Sequence, residues 1–177
     1  MSSNDSLGSV VDKVELLLAE RRQLSAIGPQ FRIVHRLRVP GTECMPGEEV
    51  FAVALVYRGR EFYLPLSRVL LLLFDYLARH RRIAQSSAQI EAGMSADTFY
   101  AEHGSNAVAL GTRLTRRISR QCVKEYVKRL RRVLAATFDK AGLRIDPEEV
   151  LLSQPTGLNQ VGYRLRAQIE WVHIDAL

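Results

Sequence analysis

The sequence predicts an α+β protein in which an antiparallel sheet precedes a core of three helices and a β-hairpin follows it. Three observations support this: β-rich runs around a Gly-containing turn at residues 50–64, helical spacing of apolar residues in later segments, and two β-rich runs near the end of the chain. The 177 residues suffice for one domain with a buried core and a smaller appendage. We assign residues 1–49 to the appendage and residues 50–177 to the domain.

The first predicted element is a helix at residues 9–26, which Gly28-Pro29 ends. Arg21 interrupts a stripe of apolar residues at heptad-like spacing: Val10, Val14, Leu17 and Leu24. This stripe packs either on the main domain or on the same helix of a second chain. Residues 1–49 are therefore a candidate dimerisation element.

Three β-rich runs follow the helix. Residues 31–39 alternate in part between apolar and polar side chains and predict a strand, and the Gly- and Pro-containing residues 40–49 predict a loop. Residues 50–57 and 61–64 then flank the turn Arg58-Gly59-Arg60. This arrangement predicts a hairpin and completes the antiparallel sheet.

Two helices come next. Ser67 is a suitable N-cap for a helix that reaches His80 with Val69, Leu70, Leu73, Phe74 and Leu77 at helical spacing. Its cationic end, residues 79–82, either stabilises the helix terminus or contacts a phosphate. Ser86 or Ser87 begins a short helix to about Gly93, residues 95–102 predict another turn or two, and residues 103–117 an irregular loop.

The third helix is basic and is predicted from about Ile118 to Phe138, ending near Ala141-Gly142. An apolar arc contains Val123, Val127, Leu130 and Leu134, and a second arc a quarter turn away contains Arg120, Gln121, Lys124, Lys128 and Arg131. Residues 111–140 hold ten Lys and Arg against two acidic residues, more than the whole net charge of +6. Such a face is either a solvated basic surface or a binding site for a polyanion.

The chain closes with a connector at residues 143–149 and strands at 150–153 and 161–166, joined by a turn at 154–160. Sheet, helix, short helix, basic helix and hairpin, in that order, form the layout of a winged helix-turn-helix with a leading sheet. That layout inserts the basic helix into the major groove of DNA and sets the hairpin, or wing, over a neighbouring backbone or minor groove.

Residues 50–166 resemble the DNA-binding effector domain of OmpR/PhoB-type response regulators. The matching pieces are Leu66-Ser67 with the apolar helix to Leu77-Ala78, the run Ser119–Leu134 with its Val, Val, Leu-Arg, Leu frame, and Gly162-Tyr163-Arg164-Leu165 in the last strand. The resemblance implies a bacterial, sequence-specific transcription regulator that binds double-stranded DNA with residues 118–138 as its recognition helix. Residues 1–49 lack the alternating strands and helices of that family's receiver domain.

The resemblance also implies the DNA-binding residues. On and before the basic helix they are Arg117, Arg120, Gln121, Lys124, Lys128 and Arg131, and in the hairpin Asn159 and Gln160, near the place where the family's wing offers an Arg. Residues 102–117 are either an ordinary loop or a surface for RNA polymerase, which the corresponding family region contacts. We also expect a homodimer on DNA, because one such domain contacts few base pairs.

Several other classes of protein are not favoured. No run approaches the roughly 18 apolar residues of a membrane span, and residues 1–9 lack a secretion signal, so we expect a cytoplasmic protein. Cys122, beside several cations, is either a small filler or a redox sensor. We expect no metal, cofactor or enzyme activity, because phosphate-binding, dinucleotide-binding and nucleophile motifs are lacking and the four histidines are scattered. The alternative function is a protein-interaction adaptor whose winged-helix domain does not read DNA.

Overall fold

A computed structural model of the chain describes residues 4–37, 48–96, 118–157 and 159–174. Their helices are α1 (Asn4–Ile27), α2 (Arg68–Arg79), α3 (Ser87–Ala96), α4 (Arg120–Ala141) and α5 (Pro147–Val150). Their strands are β1 (Gln30–Leu37), β2 (Glu48–Tyr57), β3 (Arg60–Tyr63), β4 (Gln85–Ser86), β5 (Leu151–Thr156), β6 (Gln160–Leu165) and β7 (Gln168–Ile174). The predicted α+β class is confirmed. Of the turn expected at residues 95–102, the first two residues belong to α3. Residues 97–102 and the loop expected at 103–117 lie outside the described residues.

The larger sheet has the strand order β3-β2-β1-β7. Strands β1, β2 and β3 are antiparallel neighbours, as predicted, but β7 lies parallel to β1 from the pair Gln30–Gln168 onward. The prediction of a purely antiparallel sheet is therefore wrong, because a strand was not predicted at residues 168–174. The signal was weak, since only Ile169 and Trp171 alternate with polar residues, and both remain half-exposed.

Arg32 links both edges of this sheet across its centre. Its guanidinium donates from Nε and Nη2 to the Glu170 carboxylate of β7 at 3.0 and 3.2 Å, and it also pairs with Glu61 of β3. Because a guanidinium presents its donors in a rigid fork, one side chain on β1 can hold carboxylates on either side.

A buried polar network lies where β1, α2 and β7 meet. His35 and Asp75 are 1% and 0% exposed, and Nε2 of His35 lies 3.0 Å from Oδ1 of Asp75. Arg79 Nε donates to the other carboxylate oxygen at 3.0 Å, and the Arg79 guanidinium lies 5.3 Å from the centre of the Trp171 ring. His35 is therefore a buried core residue with a hydrogen-bonding partner on α2.

The smaller sheet has the antiparallel order β4-β6-β5, so the predicted hairpin of β5 and β6 gains a third strand from the segment between α2 and α3. Ser86 of β4 also begins α3, since its Oγ accepts from the Gln89 N–H at 3.2 Å while its own N–H donates to Gln89 Oε1 at 2.8 Å. This reciprocal capping box couples the strand to the helix start. A Cβ at Gly162 would lie 3.2 Å from the Gln85 backbone, which shows how closely β6 approaches β4 there.

Helices α2, α3 and α4 share one core with the larger sheet. The Phe31 ring of β1 lies 5.1 Å from that of Phe74 in α2 and 6.4 Å from that of Phe138 in α4, measured between centroids. Both Phe31 and Ile33 are fully buried in this core. Strand β1, which precedes residue 50, is thus packed into the same core as the domain predicted at 50–177.

The segment predicted as a plain connector, residues 143–149, leads into the short helix α5. Asp146 caps this helix by accepting from the Glu148 N–H at 2.8 Å, and Pro147 occupies the first helical turn. Acceptors at the cap and Pro just inside the helix are the expected start signals. Through α5 the chain turns from α4 into β5.

Candidate nucleic-acid interface

Helix α4 is positioned by one apolar arc. Val123, Val127, Leu130 and Leu134 are at most 1% exposed, and Tyr126, Thr137 and Phe138 widen the buried face. Ser119 precedes the helix in extended conformation, and Gly142 ends it at φ 71°, a left-handed conformation that glycine adopts without steric penalty. The predicted helix at 118–138 is thus present at 120–141, and its core side is as predicted.

The neighbouring arc of α4 is exposed and cationic over its first nine residues. Arg120, Gln121, Lys124 and Lys128 all point to solvent. Among the described residues, the one acidic neighbour is Glu125, whose Oε1 lies 3.9 Å from Lys128 Nζ with both side chains about 60% exposed. Exposed ion pairs of this kind are weak. These long cationic and amide side chains are therefore available to a ligand.

Arg131 belongs to the same predicted face but is oriented differently. Its Nε and Nη2 donate to the Leu151 carbonyl at 3.1 and 2.6 Å, and Nη2 also donates to Ser153 Oγ at 2.8 Å. The side chain is only 20% exposed. Arg131 consequently holds α4 against β5, and it fixes the position of the hairpin relative to the exposed face of α4.

Beyond this exposed arc, α4 also carries Arg129, Arg132 and Cys122 on its surface. The Arg129 guanidinium lies 5.8 Å from the centre of the Tyr126 ring on its own helix, and Arg132 is exposed. Cys122 is a free, exposed thiol, so it does not fill a gap in the core.

The hairpin turn presents two of the predicted site residues beside the sheet. Asn159 has φ 58°, a left-handed conformation that asparagine tolerates, and both Asn159 and Gln160 are exposed. Thr156 Oγ1 donates to the Gln160 carbonyl at 3.3 Å and stabilises the turn. Val161, next along β6, is an apolar side chain that is 54% exposed near the tip. Arg117 and the predicted polymerase surface at 102–117 lie outside the described residues.

The cationic end of α2 stabilises its own helix. Arg81 Nη1 donates to the Ala78 carbonyl at 3.0 Å, and Arg79 is held by Asp75. Cations that satisfy terminal carbonyls complement the helix dipole. These contacts favour the capping role over a phosphate contact for this segment.

The described ranges bring no three His, Cys, Asp or Glu side chains together in a way that could hold a metal ion. None of the helices in this part of the chain combines the length and the apolar content needed to cross a lipid bilayer.

No protein-family model matches the chain, and neither a curated protein nor a solved structure shows significant similarity to it. The resemblance to OmpR/PhoB-type effector domains therefore rests on the residues of this chain alone.

Proposed function

We propose that the chain is a sequence-specific transcription regulator that binds double-stranded DNA with α4 in the major groove, as a winged helix-turn-helix. The observation that carries the proposal is the division of α4 into a buried apolar arc and an adjacent exposed arc with Arg120, Gln121, Lys124 and Lys128. A helix anchored along one side can enter a groove with the other side. Arg and Gln then form paired hydrogen bonds with guanine and adenine, while Lys neutralises phosphates.

The hairpin supports the same mode of binding. Arg131 connects the base of the hairpin to α4. When α4 lies in the groove, we therefore expect the Asn159–Gln160 turn to lie near the adjacent DNA backbone. Amide side chains can contact phosphates or the minor-groove edge there. Since Arg131 already donates to Leu151 and Ser153, it acts in this proposal as a positioning residue rather than a DNA contact.

The test measures binding to random-sequence 30-bp duplexes at several salt concentrations. Each phosphate contact contributes about 0.9 to the slope of log K against log salt, so replacing Lys124 and Lys128 with Gln should lower that slope by about 2. The matched control replaces Lys140 and Arg144, which are also exposed, with Gln. Lys140 lies ~24 Å along α4 from Lys124 and on another side of the helix. The salt slope of this control variant should therefore equal that of the wild type.

Equal slopes for the two double variants would refute the assignment of this face. A chain that shows no salt-dependent DNA binding, and that purifies without nucleic acid absorbing at 260 nm, would instead favour the adaptor function. Once binding is established, selection from a random-sequence library gives the preferred site. Replacing Gln121 with Ala should then relax the preference at one base pair by about 1–3 kcal/mol.

A further inference from the structure

One row of side chains on α4 points directly away from the core. At 100° per residue the buried side chains of α4 centre on one direction, and four exposed residues lie within about 40° of the opposite direction: Gln121, Glu125, Lys128 and Arg132. Residues three and four apart are neighbours on a helix surface, so these four form a continuous row. We refer to them as the outer ridge. When α4 enters a groove, the outer ridge is the part that reaches deepest.

Glu125 carries the only carboxylate of the outer ridge, and no hydrogen bond from the described residues holds it. Its side chain is 61% exposed, and its Oε1 lies 3.9 Å from Lys128 Nζ, beyond hydrogen-bonding distance. Arg129, four residues later, is directed to the Tyr126 ring instead, with its guanidinium 5.8 Å from the ring centre. Exposed charge pairs of this kind contribute little to stability. Helix stability therefore does not account for a carboxylate at this place.

A carboxylate on this ridge weakens binding to DNA in general. The phosphates on both sides of a groove repel it, whereas they attract the neighbouring Lys and Arg side chains. Moving the carboxylate of Glu125 out of water into the groove also costs free energy unless a hydrogen-bond donor replaces the lost water. A surface that only held a polyanion would gain nothing from Glu125. Selection among sequences, rather than affinity, accounts for it.

The chemistry of the base edges identifies the base. In the major groove guanine presents two acceptors, thymine presents one, and adenine presents the acceptor N7 beside its N6 amino group. Cytosine presents only a donor, its N4 amino group. An ionised carboxylate accepts hydrogen bonds and donates none, so the lone pairs of the other three bases repel it.

We propose that Glu125 is a specificity-determining residue whose carboxylate accepts a hydrogen bond from the N4 amino group of one cytosine in the major groove. This inference rests on the DNA binding by α4 proposed above and adds the identity of one base. Lys128, beside Glu125, reduces the repulsion between the carboxylate and the nearby phosphates. Gln121 lies ~6 Å back along the helix axis, so the cytosine should lie about two base pairs from the base that Gln121 contacts.

The test compares the sequences that wild type and variants select from a random-sequence duplex library. Wild type should select a cytosine at one position where Glu125→Ala tolerates every base. On duplexes that differ only at that base pair, the preference should fall by about 5- to 100-fold. Glu125→Ala should also bind random-sequence duplexes more tightly than wild type, because a repulsive charge is removed.

A second variant and a matched control sharpen the test. Glu125→Gln keeps the size of the side chain and should shift the preference at that position toward adenine, because Gln pairs with N6 and N7 of adenine. The control is Asp139→Asn, which removes the same charge from the same side of α4, ~21 Å further along the helix. Its base preferences should equal those of wild type. Circular dichroism checks that each variant keeps its helix content.

The outcomes separate this inference from the function on which it rests. A wild type without salt-dependent DNA binding would refute the proposed function, and the role of Glu125 with it. A wild type that binds DNA, but selects no cytosine that depends on Glu125, would overturn the role of Glu125 and leave the proposed function standing. Equal weakening of Glu125→Ala toward all sequences, or the same change of preference in Asp139→Asn, would also overturn it.

Discussion

Replacing Arg131 with Ala should destabilise the protein by about 2 kcal/mol. The variant removes three charge-assisted hydrogen bonds, at 2.6, 2.8 and 3.1 Å, that join α4 to β5. Because the Arg166 N–H donates to the Val150 carbonyl, the next carbonyl, that of Leu151, points away from β6 along the outer edge of the sheet. Arg131 is its donor. A buried acceptor left without a donor costs about 1–3 kcal/mol.

The magnitude takes two corrections into account. Arg131 is 20% exposed, so water can partly replace the guanidinium, and the contact with Glu148 at 3.8 Å adds little because Glu148 is 72% exposed. About 2 kcal/mol in a chain of this length lowers Tm by roughly 4–8 °C. Arg131→Lys, which keeps the charge but loses the fork of donors, should fall about midway.

Urea denaturation followed by circular dichroism measures this difference. Arg132→Ala is the control, since Arg132 is the adjacent arginine, is exposed and should change stability by less than about 0.5 kcal/mol. If Arg131→Ala were as stable as Arg132→Ala, the hydrogen bonds to β5 would have no net value and the role of Arg131 as a connector would be refuted.

Three further variants test other features. Gly142→Ala should lose about 1 kcal/mol by urea denaturation, because φ is 71° there while no atom within 4 Å opposes a Cβ. Gly93→Ala should be about 1–3 kcal/mol less stable than wild type, since its Cβ would lie 2.2 Å from the buried hydroxyl of Tyr76. A thermal melt measures this, and an unchanged Tm would contradict the close approach of α3 to α2. Glu20→Gln should be less stable than wild type near neutral pH, because the hydrogen bond from Arg58 stabilises the Glu20 carboxylate and lowers its pKa. The difference in stability should disappear as the pH falls well below 4.5, since the protonated carboxyl no longer forms this ion pair. A gap that persists in acid would mean that the ion pair does not hold α1.

Local sequence signals predicted most helices and strands because each depends on nearby residues. The apolar spacing of α2 and α4 and the turn at Gly59 need no knowledge of distant partners. Strands β4 and β7 were missed for the opposite reason. Two residues at 85–86 and a half-exposed run at 168–174 become strands only because β6 and β1 offer them an edge.

The candidate site was predicted in the same uneven way. Helical periodicity correctly separates the buried arc of α4 from Gln121, Lys124 and Lys128, which lie about 60–120° from Val127. Arg131 lies only about 40° from Val127, at the border of the arcs, and its orientation depends on a carbonyl twenty residues away on β5. Spacing along a helix cannot show such a long-range acceptor, and the angle alone is no guide, because Arg120 lies only about 20° from Val127 and is exposed.

The parallel pairing of β1 with β7 has a consequence for how the chain folds during synthesis. Arg32 and Glu170 are 138 residues apart, so one edge of β1 has no strand to join until β7 has left the ribosome. Contacts between residues so far apart in sequence form late in folding. Until then, an apolar strand with an unpaired edge is prone to pair with other chains. Ribosome-bound chains that stop short of residue 168 should therefore resemble one another in protease sensitivity at β1, and protection should appear only when β7 emerges.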